Sequence, residues 1–416
     1  MNRYLILFLF LLIILLVEFY AFQGIKTLVT HSSEILQKTV KYIYFSITLL
    51  VLVAFLIYNF GNPDAIGKHT RTFLLSLVFI NVLAKILAVV FVLIDDLQRG
   101  VRWIVKKLAN PEQFTQDGSG ISRSKFLATT GIIVAAAPVV SLSWGIISGA
   151  HDYRVRRIKV PIKGLPKELD GIKIGQLSDI HSGSFWNKTA VKGGVELLEK
   201  EKVDLALFTG DLVNNKATEM QEWGSIFSKI KAPLGVYSIF GNHDYGDYVD
   251  WGSAQAKRKN LQELAIIEKN MGWQLLNNEH RILEIDGEKL GLVGVENWSA
   301  KSRFPKYGNL KTAMQNMEET ATTILLSHDP SHWQAEVVGQ HPRIDLTLSG
   351  HTHGMQFGVD IPGFKWSPVQ YVYDEWAGLY QSAHQNLYVN RGFGYIGYPG
   401  RVGILPEISV LTLEKA

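Results

Sequence analysis

Four apolar stretches crowd the first 150 residues: Tyr4–Phe22, Tyr42–Phe60, Phe73–Ile94 and Phe126–Ile147. The only charges inside them are Glu18 and Lys85. Each approaches the roughly 20 residues that a helix needs to cross a bilayer core. A water-soluble core would have to bury all four, so the pattern predicts an all-α transmembrane region over 1–150 and a second domain over 151–416. Tyr4, Tyr20, Tyr42, Tyr44, Tyr58 and Trp144 lie near span ends, where amphipathic rings favour the membrane–water interface. Asn81 and Lys85 fall one turn apart inside the third span. No other span offers Lys85 a clear acidic partner at depth, and the pair reads as an interhelical contact rather than a functional site.

Charge placement predicts the orientation. Lys26, Lys38 and Lys41 lie between spans one and two. Arg99, Arg102, Lys106, Lys107, Arg123 and Lys125 lie between spans three and four. The other side has Arg3, Lys68 and Arg71. The positive-inside rule puts the richer loops in the cytoplasm and both chain ends outside. Arg154, Arg156, Arg157 and Lys159 follow span four and point the other way, but large domains translocate largely regardless of charge. Leu97, Val101, Ile104, Val105 and Leu108 recur at helical spacing and predict a juxtamembrane helix. Asn110-Pro111 and Asp117-Gly118-Ser119-Gly120 predict a loop. Ser122–Leu127 resembles a twin-arginine export signal in which Ser124 replaces the second arginine, so this segment reads as an uncleaved span.

Residues 1–150 carry a net charge of +6 against +4 for the whole chain, which leaves 151–416 slightly acidic. No nucleic-acid partner is expected of such a domain. With 47% hydrophobic and 19% charged residues, disorder is excluded, and the absence of cysteine excludes thiolate metal sites and cysteine nucleophiles.

From His151 short β-rich runs alternate with helical ones. Strands are predicted over 172–177, 205–209, 235–240, 322–327, 344–349, 387–390 and 407–413. A hairpin is predicted around Asp286-Gly287, and helices over 189–201, 218–229, 255–271 and near 331–338. Five strands end in a chemistry-bearing group: Asp179 and His181; Asp211; Asn242, His243 and Asp244; His328; His351 and His353. Ligand sites form at the carboxyl ends of strands in α/β sheets. Carboxylates, imidazoles and an amide carbonyl suit Mn, Fe or Zn. Their number exceeds one tetrahedral set, and two ions can share a carboxylate and hold a hydroxide for in-line attack at phosphorus.

The series Asp179-x-His181, Gly210-Asp211, Gly241-Asn242-His243-Asp244, His328 and Gly350-His351-Thr352-His353 resembles the calcineurin-like metallophosphoesterase family over residues 155–416. Leu326–Pro330, Ser349–Gly354, Asn390-Arg391-Gly392 and Pro406–Ile408 are similar to its membrane-anchored bacterial branch, except that Met355 stands where that branch usually has glycine. The resemblance implies an α/β class four-layer α/β/β/α sandwich. It also implies two divalent metal ions. Asp179, His181 and His353 would hold the first, Asn242, His328 and His351 the second, and Asp211 would bridge. His243 would be catalytic and off the metals, and Asp244 would orient it. His280, His332, His341 and His384 match no family position.

The implied function is a metal-dependent phosphoric ester hydrolase at the cell membrane, its catalytic domain extracytoplasmic. Its substrate would be a small-molecule or lipid-linked phosphomonoester, phosphodiester or pyrophosphate. The branch more distantly resembles the pyrophosphohydrolases of UDP-diacylglucosamine, a cytoplasmic substrate that conflicts with an external domain. A transporter or sensor that only binds a phosphorylated ligand would tolerate loss of Asp211 or His243, and neither is lost. A metallopeptidase is disfavoured because no His-Glu-x-x-His is present. Tyr245–Tyr248, Asn297, Trp298, Arg303, Arg391 and Arg401 are the further candidates for substrate contact.

Overall fold

A computed structural model describes residues 3–108 and 123–416, which form two units, Met1–Trp144 and Gly145–Ala416. The predicted loop features at Asn110-Pro111 and Asp117–Gly120, and Ser122 of the export-like motif, lie outside the described residues.

The first unit is built on α1 (Arg3–Val29), α2 (Glu34–Phe60), the short α3 (Pro63–Ile66), α4 (Lys68–Leu108) and α5 (Arg123–Ile147). Four of these helices are long and apolar enough to cross a membrane. Small residues allow close helix packing, as in other membrane bundles. A side chain at Gly24 would press on Val92, and one at Gly131 on Phe91. The predicted juxtamembrane helix is no separate element. It forms the last turns of α4, because nothing between Asp95 and Val101 breaks the helix and Arg99 pairs back to Asp95 and Asp96. The expectation that Lys85 lacks an acidic partner is also corrected. Lys85 pairs with Glu18 of α1, with side chains 12% and 3% exposed. Thr48 of α2 donates to the same carboxylate, and Lys85 Nζ lies 4.5 Å from the Tyr44 ring centroid.

The second unit contains two six-stranded sheets. The first has the order β1 (Arg154–Ile162), β14 (Glu407–Lys415), β2 (Lys173–Leu177), β3 (Leu205–Phe208), β4 (Val236–Ser238), β5 (Gln274–Leu275). The second has the order β12 (Gly378–Ser382), β13 (Gln385–Val389), β9 (Leu346–Ser349), β8 (Thr322–Leu326), β7 (Glu288–Gly294), β6 (Glu279–Ile285). A small hairpin, β10 (Val359–Ile361) and β11 (Phe364–Trp366), stands apart from both. Alternation along the strands separates the layers. Leu205, Leu207, Ile324 and Leu326 point into a core shared by the two sheets. Ala206 and Phe208 point outward to α6 (Lys188–Glu201), α7 (Gly224–Phe227) and α8 (Ala254–Met271). Leu325 points outward to Leu310, Trp333 and Val337. The result is the four-layer α/β/β/α arrangement.

Local signals place the main elements. Asn187 and Ser253 cap α6 and α8 by accepting from the Ala190 and Ala256 N–H groups, and Gly272 at φ +86° ends α8. Asp286 and Gly287, both at positive φ, make the two-residue turn of the β6–β7 hairpin. Two predicted helices are not continuous. The 218–229 segment is a short 3₁₀ turn, Ala217–Met220, followed by α7, with Met220, Trp223, Ile226 and Phe227 all buried. The 331–338 segment is one wide turn, Trp333–Val337. Burial of aromatic residues, rather than helical periodicity, shapes both. The cation-rich segment after span four is an edge strand, β1. Its Arg157 and Lys159 pair with Glu201 and Glu414, and Pro161 is tolerated at the edge.

Candidate metal centre

Strands β2, β3 and β4 of one sheet and β8 and β9 of the other end at one place. The loops that follow carry all nine residues picked out at strand ends. Asp179, His181, Asp211, Asn242, Asp244, His328 and His353 are buried. Backbone strain accompanies the convergence. Asp179, His181, Asp211, His351 and His353 have φ between +47° and +70°, a region that costs an ordinary residue about 1–2 kcal/mol. The turns also need their glycines. A side chain at Gly350 would collide with Ser178 Oγ and Asp179 Oδ2, and one at Gly241 with Asp211 Oδ1. Met355 too has a positive φ, +49°, which explains why glycine would suit that position; its half-exposed side chain lines the cavity above the site.

Two donor triads result: Asp179, His181 and His353, and Asp211, His328 and His351. In the first, His181 Nε2 lies 3.0 Å from His353 Nε2, which lies 3.2 Å from Asp179 Oδ1. In the second, His351 Nδ1 lies 3.2 Å from His328 Nε2. Asn242 Oδ1 is 3.2 Å from the same His328 nitrogen, and the amide is aimed by donation from its Nδ2 to Tyr248 Oη at 2.8 Å. Asp211 Oδ2 lies 3.5 Å from His181 Nε2 and 3.2 Å from His328 Nε2, between the triads.

These donors fit cations. Burial pushes the Asp179 and Asp211 carboxyls up, yet His353 beside Asp179 and His328 beside Asp211 hold both below the usual carboxylate range. Burial would lower His328, but Asp211 and Asp179 raise it to about 10. Burial lowers His181 and His351. Two buried carboxylates therefore demand positive charge, and paired imidazole nitrogens that face one another satisfy each other poorly. Divalent ions answer both demands.

Hydrogen bonds on the far side of the rings set tautomers. His328 Nδ1–H donates to Thr209 O at 2.7 Å, leaving Nε2 facing the site. His351 Nε2–H donates to Tyr373 Oη at 3.0 Å, and Tyr373 donates on to Asp329 at 3.1 Å, leaving Nδ1 facing the site. No motif marks Tyr373, which stands 22 residues from His351.

His243 is held differently from the expectation. Its Nδ1–H donates to the Asn214 carbonyl at 2.8 Å. Asp244, expected to orient that ring, accepts instead from the backbone N–H groups of Asp211, Leu212, Val213 and Gly241. A short side chain one residue on reaches the turn's own amides more easily than the neighbouring imidazole. Burial and Asp211 push its carboxyl up to about 7, against the pull of the Gly241 and Val213 N–H groups. Two other candidates also turn away from substrate. Arg391 binds Asp360 and Glu407, and Arg401 is caged by the carbonyls of Gly394, Ile404 and Arg391, with Nη2 3.1 Å from His353 Nδ1. Asn297 is buried and donates to Pro305 O, while Trp298 stacks on His332. Arg303 alone of these five arginine and loop candidates lines the cavity over the site.

Comparison with known proteins agrees with this geometry. The profile described as "Calcineurin-like phosphoesterase" matches residues 172–355, and that described as "Probable Calcineurin-like phosphoesterase, transmembrane domain" matches residues 2–150. The metallophosphoesterase YkuE of Bacillus subtilis is 30% identical over 302 residues, covering 71% of this chain and 98% of that protein. The chain belongs to the calcineurin-like metallophosphoesterase family. A transmembrane protein with a metallophosphoesterase domain from Danio rerio is 29% identical over 307 residues, covering 72% of this chain but only 64% of that protein. A UDP-2,3-diacylglucosamine pyrophosphatase of Chlamydia trachomatis, LpxG, is 26% identical over 311 residues, covering 63% of this chain and 89% of the relative. Family membership makes the chain a metal-dependent hydrolase by class, and its four apolar helices make it a membrane protein.

Proposed function

We propose that the chain is a membrane-anchored phosphoesterase that works with two divalent cations, Mn, Fe or Zn by its donor set, on a phosphate ester or pyrophosphate linkage carried by a lipid. Residues 1–150 anchor it and residues 151–416 catalyse. The observation that carries the reading is Asp211, whose Oδ2 lies within 3.5 Å of an imidazole nitrogen from each triad. Asp179, His181 and His353 would hold one ion, Asn242, His328 and His351 the other, and Asp211 both. When bound, such a pair supplies an activated water and charge stabilisation for in-line displacement at phosphorus.

The chain's own groups do the rest. With Nδ1–H committed to Asn214 O, His243 has Nε2 left to meet the substrate. Protonated there, it stabilises charge that develops on the phosphoryl oxygens and passes a proton to the leaving oxygen. Asp244 ties the Asp211 turn to the Gly241 turn, so that the bridging ligand and His243 keep their spacing. The loop charges support an external catalytic domain. The cations of β1 that seemed to oppose it are taken up by carboxylates of the domain itself. The name of the Chlamydia relative supports a lipid-linked diphosphate in kind; the relative's nucleotide-linked substrate is cytoplasmic, so an external domain would act on a different diphosphate, one in the outer leaflet.

The test is turnover by the full chain in detergent with Mn, Fe, Zn or Mg. Substrates are p-nitrophenyl phosphate, bis-p-nitrophenyl phosphate and a diphosphate diester. Turnover that needs one of the first three metals and vanishes with chelator is expected; none with any metal refutes the activity. Protease added to intact spheroplasts should cleave within 151–416, and complete protection would reverse the orientation.

A further inference from the structure

After β7 the chain runs through a loop that Asn297 closes on itself. The Asn297 carbonyl accepts from the Tyr307 and Gly308 N–H groups at 2.8 and 3.0 Å, while its side-chain amide donates to Pro305 O at 2.9 Å. The loop is pinned outside as well: Ala300 N–H donates to Ser331 Oγ at 2.9 Å. It carries three cations, Lys301, Arg303 and Lys306. Lys301 lies over the Tyr373 ring and Lys306 over Trp298. Arg303 lines the cavity over the metal centre with His181, Asn242, His243 and His351.

Three observations set Arg303 apart. Its side chain is exposed, and among the described residues no carboxylate pairs with it; Arg391 and Arg156, by contrast, are spent on Asp360 and Glu407. It is fastened to the site wall: the guanidinium lies 4.6 Å from the Phe304 ring, and that ring packs edge-on to His351, centroids 4.6 Å apart. The space it faces is small, about 170 Å³. It leaves room for phosphoryl groups.

A guanidinium that touches Tyr373 but has no carboxylate partner, held at the rim of an anion-processing site, suits bidentate recognition of phosphate. The phosphoryl group under attack would sit among the metal ligands and His243. A cation at the rim gains most from a substrate that brings a second anion to it, which a monoester and a simple diester do not. The geometry points to Arg303 as the residue that binds the second phosphate of a diphosphate diester, the one carried off with the leaving group, and so selects that substrate class. This rests on the phosphoesterase reading above. Hydrolysis then adds water across one P–O–P linkage: a P–O bond to the water oxygen forms, the bond to the bridging oxygen breaks, and two phosphomonoesters result.

The test uses binding, so that it stands apart from turnover. Calorimetry on the full chain in detergent, with free Mn held constant, compares methylenediphosphonate with methylphosphonate. The wild type should prefer the diphosphonate by about 10- to 100-fold, the range of a charge-assisted contact. Arg303→Gln should collapse that preference to within about threefold with metal content retained, and Arg303→Lys should restore part of it. A wild type without the preference, or a preference that survives Arg303→Gln, overturns the inference. If the preference behaves as stated but no phosphate ester is turned over with any metal, the activity is wrong while Arg303 stands as a diphosphate-binding residue.

Discussion

Glu18 and Lys85 in the membrane unit, and Asp179 and Asp211 with their four imidazole neighbours in the catalytic unit, are two sets of ionisable groups held away from water. The first closes on itself. One carboxylate meets one ammonium, the Thr48 hydroxyl donates to the same carboxylate, and the Tyr44 ring covers the ammonium. The second set does not close. Imidazole nitrogens face each other at 3.0 and 3.2 Å, and the Asp211 and Asp179 carboxylates beside His328 raise its pKa to about 10. A balanced buried pair completes a structure, whereas an unbalanced cluster is built for ions from outside the chain.

Removing a ligand from the unbalanced cluster should have the largest effect. His351→Ala should lose metal and, with it, turnover down to background, read by metal content beside initial rate. His243→Ala should keep both metals and lower kcat by roughly 10²–10⁴-fold, the share of general-acid catalysis. The loss should shrink for a nitrophenyl ester, whose leaving oxygen needs little protonation. If His243→Ala released metal as readily as His351→Ala, the division between ligand and catalyst would be wrong.

The balanced pair should respond as a pair. Lys85→Met leaves Glu18 buried and alone, and should destabilise the full chain in detergent by about 3–5 kcal/mol. Adding Glu18→Gln should recover much of that, with metal content unchanged in both variants. Equal damage from the single and double variants would argue against a closed pair.

The smallest effect concerns Glu268, buried under β4 with its carboxylate accepting from Ser238 Oγ. Burial raises its pKa well above the ordinary carboxylate value. The folded state then binds a proton that the unfolded state has released. This contribution to stability is full below the unfolded pKa and is lost as pH rises through the folded one. Glu268→Gln should therefore melt higher than wild type at pH 8, by ~2–4 °C per kcal/mol, and the two should converge near pH 4. A gap that widens toward low pH would reverse the sign.

The same contrast explains what could be read from sequence. The candidate ligands were legible because each cluster follows an apolar strand directly, three of them after a glycine whose lack of a side chain the turn requires, Gly210, Gly241 and Gly350. Layer order was implied by the family resemblance; the all-apolar run Leu205 to Phe208 is buried on both faces and shows no alternation of its own. Contacts between distant segments were not legible. Glu18 lies 67 residues from Lys85, and Tyr373 lies beyond two further strands from His351. The carbonyl of Asn214 that fixes His243 is backbone and leaves no mark in residue identity. β1 was hidden because its cations resemble a membrane flank when read alone and an edge strand only beside Glu201 and Glu414.

The central claim is that Asp211 joins two ion sites into one. Metal analysis of the full chain, purified without chelator and reloaded with Mn, tests it most directly. Wild type should carry two ions per chain. Asp211→Asn keeps the shape but removes the shared charge, and should lose affinity at both sites together, with turnover falling in step. Two ions bound at wild-type affinity with full turnover in Asp211→Asn, or a wild type that saturates at one, would contradict the account.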